Sequence, residues 1–183
     1  MISLDDPRWP ALDHRGWSEG RGAPDAPFVP DELRHLMADP SDGERFTGLW
    51  PYLCSEGTAW PAAYAAVPHL VTIARGLPSA GAARDDYLYV VGLVAMCSGD
   101  LGEAPADLPD DIADAYRRAL PEALALLAET LAGQHDQITT RYLLAATAAL
   151  KGHSEYAEIL NELDVFAECQ SCGEPMIELP EEP

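Results

Sequence analysis

The chain reads as an all-α protein, with six or seven amphipathic helices in antiparallel pairs forming a short α-solenoid or irregular bundle. A small β-hairpin is expected only at its carboxyl end. Three observations predict this. Apolar residues recur at intervals of three and four through most of residues 31–163. The helical stretches are separated by breaks rich in Gly, Pro and Asp, such as DPSDG and GDLGEAPADLPD. Short apolar runs of strand type flank a single Cys-x-x-Cys step in AECQSCGEPMIEL.

Residues 1–29 carry Pro and Gly without sustained periodicity and read as an irregular arm. Trp9, Trp17 and Phe28 are large enough to pin that arm to the body by burying aromatic surface. The helical domain spans 30–163, and 164–183 form the Cys-x-x-Cys hairpin and an acidic tail.

A first helix is predicted from Asp31 to Met37, where Pro30 and Asp31 form a start signal and Leu33, Leu36 and Met37 share a face. Next, Phe46, Leu49, Trp50 and Leu53 recur at helical spacing. Gly57 ends that run, and Thr58 is placed to cap a second helix containing Tyr64, Val67, Leu70, Val71 and Ile73. A tight turn between two antiparallel helices follows. Pro68 lacks an amide donor and crowds the preceding turn, so this helix should kink near Tyr64 to Val67 or restart at Pro68.

Residues 82–98 form a strongly apolar stretch, with Tyr87, Val90, Val91, Val94 and Cys97 on one side, and read as the central helix. Beyond the 99–110 loop, Ile112, Tyr116, Leu120, Leu124, Leu127 and Leu131 mark a long helix, with Asp110 and Asp111 at its positive end and Pro121 as a kink or restart. DQITTRYLLAATAALKG repeats the pattern and closes on Lys151 and Gly152; a short helix capped by Ser154 follows.

The residues LCSEGTAWPAAYAAVPHLVTIA, with the opening LDDPRW, resemble a group of bacterial HEAT-like proteins. In that group a Cys/His-x-Gly turn precedes an Ala-rich helix ending in Ala-Val-Pro-His/Phe-Leu. The likeness covers about sixty residues well, and the rest only in helical rhythm. It implies HEAT-like antiparallel helical hairpins, not an activity. Where the group commonly has His-Gln-Gly, this chain has Ser55-Glu56-Gly57.

Composition bounds function. Thirty-one acids against 11 bases give a formal charge of −20, which repels phosphate backbones and suits a basic partner. Nucleic-acid binding is disfavoured. No apolar run approaches the ~18 residues a membrane span needs, and no basic, apolar leader opens the chain, so a cytoplasmic protein without a membrane partner is expected. Four scattered cysteines do not make a secreted disulfide scaffold.

Motifs for phosphate loops, nucleophile elbows, zincins and dinucleotide folds are absent. His69, on an apolar helix, reads as a core or groove histidine; His14, His35, His135 and His153 read as surface residues. Cys54 and Cys97 fall on apolar faces, where free cysteine acts as a small hydrophobe. The pairs Asp5–Asp6, Asp85–Asp86 and Asp110–Asp111 read as solvated faces, since neighbours on a helix diverge.

Cys169 and Cys172 are candidate zinc ligands, because a Cys-x-x-Cys turn with Gly173 behind it aims two thiolates at one ion. Tetrahedral zinc needs two more ligands. Three states stay open: a metal-free knuckle, reduced or disulfide-linked; zinc completed by ligands elsewhere in the chain; and zinc shared across a homodimer. Two thiolates alone make an incomplete site, so less than about half an equivalent of zinc per purified monomer is expected. No other cofactor is implied.

The leading functional expectation is a protein–protein interaction module, an immunity-type or regulatory partner of a basic protein. Its rival is an enzyme or accessory subunit with a pocket near His69, lined by Trp50, Trp60, Tyr64 and His69. A pocket in which His69 meets a carboxylate or thiol favours the enzyme; an acidic groove favours the binder.

Overall fold

Helix appears wherever the three-and-four spacing is sustained. The computed structural model describes residues 1–12, 28–55, 57–98, 105 and 108–162. Trp17, His14 and the hairpin expected around Cys169 and Cys172 lie outside the described residues. In order, the elements are α1 (Trp9–Leu12), α2 (Val29–Ala38), α3 (Gly43–Leu49), a 3-10 turn (Trp50–Tyr52), β1 (Cys54–Ser55), β2 (Thr58–Ala59), α4 (Pro61–Gly76), α5 (Ala82–Met96), α6 (Asp110–Leu131), α7 (Gln137–Leu150) and α8 (Ser154–Glu162). Among the described residues the fold is all-α apart from that ladder of two-residue strands. No helix among the described residues is long and apolar enough to cross a membrane.

Local chemistry sets the helix ends. Asp42 accepts from the Arg45 amide at 3.0 Å to cap α3, and Asp136 accepts from the Thr139 amide at 2.9 Å to cap α7. Asp110 and Asp111 stand in the first turn of α6, where the helix dipole favours acids. Ser154, expected as a cap, is instead the first helical residue of α8, and the His153 carbonyl accepts from the Ala157 amide.

The link between α3 and α4 departs from the expected tight turn. After the 3-10 turn, Cys54 pairs with Ala59 and Ser55 with Thr58 in a miniature antiparallel ladder, turned at Gly57 with φ of 75°. Thr58 is thus a strand residue, and Trp60 takes the cap position of α4. The reason is Pro61: its missing amide costs nothing at the first helical position and its fixed φ starts the helix there. No restart occurs at Pro68 or Pro121, since α4 and α6 each run as one helix through their proline.

Packing follows two rows. α2 contacts α4, and α4 contacts α6; in the second row α5 packs extensively on α7, and Phe46 of α3 reaches Tyr87 of α5 with ring centroids 4.5 Å apart. α4 against α5 joins the rows, and α8 closes on α7. α4, more than α5, occupies the centre, because it is buried from Ala62 through Val71 and its alanines let neighbours approach on every side.

The amino-terminal segment is stitched to this body. Ile2, Trp9 and Leu12 are buried, the Trp9 indole donates to the Ser3 carbonyl at 2.9 Å, and Arg8 bridges Asp6 and Asp111. His69 of α4 lies 3.1 Å from the Ile2 carbonyl.

Candidate functional site

The second row exposes a cleft. Phe46, Thr47 and Trp50 on one side, with Asp86, Tyr89 and Val90 of α5 and Tyr142 of α7, enclose about 210 Å³. A neighbouring cavity of about 70 Å³ shares Asp86, Tyr89 and Tyr142 and extends to Asp85, Thr139 and Leu143. The Tyr89 and Tyr142 rings lie 4.6 Å apart at 32°. Tyr89 is anchored from α8, its hydroxyl donating to Asn161 Oδ1 at 2.7 Å.

Asp86 is the charged residue common to both cavities. It lies at the exposed mouth, and neither an ion pair nor a hydrogen bond engages its side chain among the described residues. The adjoining wall raises its carboxyl above the ordinary aspartate value, chiefly by partial burial and secondarily through Asp85. Arg141 stacks on the Tyr142 ring, its guanidinium carbon 4.8 Å from the centroid, but it does not line the cleft.

Asp85 has a separate environment behind the wall. Its carboxylate is 3.3 Å from His135 Nδ1, and His135 Nε2 donates to the Thr130 carbonyl at 2.7 Å. Both ring nitrogens therefore face oxygens. Burial raises the Asp85 carboxyl, opposed by His135. Arg84, 3% exposed, joins the network through Glu129 at 2.9 Å. The solvated-face expectation fails for Asp85, and the surface expectation fails for His135, because both side chains are enclosed beside Thr130 of α6, while Glu129 reaches solvent.

The residues expected to line a pocket are dispersed. Trp50 lines the cleft. Tyr64 is 1% exposed in the core, edge-on to Tyr116 at 5.1 Å, and its hydroxyl accepts from Ser98 at 3.1 Å. Trp60 is half-buried at the start of α4. His69 is buried against the amino-terminal segment: Nε2 donates to Ile2, Nδ1 has no partner among the described residues, and burial lowers its pKa. Among the described residues it meets neither carboxylate nor thiol.

Cys54 is buried, and its thiol is pushed up to about 12, mainly by burial. Cys97 is raised for the same reason. Among the described residues no group of three or more His, Cys, Asp or Glu side chains is placed to hold a metal ion. No protein-family model, curated protein or solved structure matches the chain.

Proposed function

We propose that this chain is a protein–protein interaction module built of HEAT-like helical pairs, whose α3–α5–α7 face docks a basic protein as an immunity-type or regulatory partner. One observation carries the reading: Asp86, a carboxylate without a counter-charge among the described residues, at the mouth of a cleft walled by Trp50, Tyr89 and Tyr142. An ionised acid beside apolar surface is costly to the folded chain alone, and a partner's cation offsets that cost.

Two further facts support it. The net charge of −20 steers basic partners toward the molecule, and α5 packs on α7 while Phe46 and Thr47 of α3, with Trp50, line the same cleft, giving a face shared by several helices, as in stacked helical repeats. The rival reading, an enzyme pocket at His69, gains no support from a ring engaged with the Ile2 carbonyl.

Affinity capture from an extract of the source organism tests the reading. Basic proteins held by the wild-type chain at moderate salt should be lost with Asp86→Asn and with Trp50→Leu. Identical capture by all three chains would contradict it.

A further inference from the structure

We infer that the Trp50–Tyr89–Tyr142 cleft is a receptor site for one arginine side chain of an extended segment of the partner, resting on the reading of this face as a docking surface.

The walls call for a cation. Aromatic rings present negative faces, and a carboxylate at their rim adds a full charge, so the cleft attracts a positive group that can shed water. Among the described residues no such group reaches Asp86: the charge that acts on its carboxyl is that of Asp85, and Arg141 is not among the lining residues. Guanidinium fits better than ammonium. It is planar, more weakly hydrated, stacks on rings and pairs with a carboxylate through two parallel N–H donors. Arg141 already shows this behaviour on Tyr142. A cavity of about 210 Å³ has the room for a long side chain entering from solvent.

Gly48 argues for a polypeptide rather than a small free cation. It is the next-to-last residue of α3, exposed, and a Cβ built there meets nothing within 4 Å. Packing does not demand this glycine. A bare stretch of α3 backbone lets another chain cross closely. On the far side of that crossing, Glu32, Asp42, Glu44, Arg45, Gly48 and Tyr52 line a second, more open cleft. Arg45 occupies Glu32 and Asp42 there, whereas Glu44 is unpaired among the described residues. A basic segment with arginine in the first cleft and its chain crossing α3 at Gly48 therefore meets a second acid in Glu44.

The probes are three acetylated, amidated pentapeptides, Gly-Gly-X-Gly-Gly, with X as arginine, lysine or citrulline, titrated into the intact protein and followed by NMR. The arginine peptide should shift the Trp50 indole and the amides of 86–90 and 139–143. Citrulline, the same shape without charge, should not. Asp86→Asn and Trp50→Leu should each weaken binding by about tenfold, the size of a desolvated cation–π or ion-pair contact, while their thermal melts show that both fold. Gly48→Gln should leave this peptide's binding intact and weaken capture of the natural partner. Equal binding of citrulline, tighter binding of lysine, or unchanged affinity in both variants would overturn the arginine site. If the partner still protects the cleft in that case, only the arginine assignment falls; if it does not, the docking reading falls with it.

Discussion

Gly92 of α5 lies directly against Ala146 of α7: a Cβ added to the glycine would overlap both Cα and Cβ of the alanine. Gly92 follows Tyr89 by three residues and Ala146 follows Tyr142 by four, so this contact stands one turn from the ring pair at 4.6 Å. Close approach of the two backbones thus sets the width of the cleft. Gly92→Ala should force the helices apart, costing about 1–3 kcal/mol as overpacking does. Adding Ala146→Gly should recover part of that loss, measured as non-additivity in chemical denaturation.

His69 gives a pH signature of the amino-terminal docking. Its pKa is lowered on folding, mainly by burial. The folded chain therefore resists a proton that the unfolded chain accepts. Stability from this site is complete above the unfolded value near 6.5 and is lost as pH falls from there toward the folded value. His69→Gln, which keeps a donor for the Ile2 carbonyl, should flatten the fall in denaturation midpoint between pH 7 and 5 relative to wild type. An unchanged slope would mean that His69 does not titrate on unfolding.

Asp86 works in the opposite sense. An acid whose pKa is raised by folding weighs against the folded state above that pKa, and the penalty disappears as pH falls below the ordinary aspartate value. Asp86→Asn should raise the melting temperature at pH 7, with the two melting curves converging below about pH 4. A variant both more stable and poorer at binding marks a residue kept for function.

Much of the fold is legible because burial repeats every three or four residues in α2, α5, α6 and α7. Chemistry at the ends was harder to read. Thr58 carries the capping side chain, yet Pro61 decides where α4 begins, and Pro68 is accommodated in a helix enclosed by its neighbours. The site was nearly invisible. Tyr89 and Tyr142 fall within apolar runs that read as core, and only the approach of α5 to α7 turns them into a wall. Asp85 and Asp86, adjacent in sequence, part into a buried network and an open cleft because neighbouring helical residues diverge by about 100°. The available signal was an aspartate three residues before a tyrosine, which places both on one helical face.

Tyr64 and Trp50 should respond differently to truncation. Tyr64 is enclosed with Tyr116 and Ser98, so Tyr64→Ala should cost about 3–5 kcal/mol through lost burial and a cavity. Trp50 is half-buried at the cleft, and Trp50→Ala should cost less than about 2 kcal/mol while impairing binding. Equal losses in urea denaturation would place Trp50 in the core rather than at a docking surface.

The central claim is that the face of α3, α5 and α7 receives a basic partner through Asp86 and its aromatic walls. Hydrogen exchange of the intact protein with and without a captured basic partner tests it most directly. Exchange should slow in 46–50, 86–90 and 139–143, and Asp86→Asn should abolish that protection together with binding. Slowed exchange confined to α4, α6 or α8, with 46–50, 86–90 and 139–143 unchanged, would contradict it.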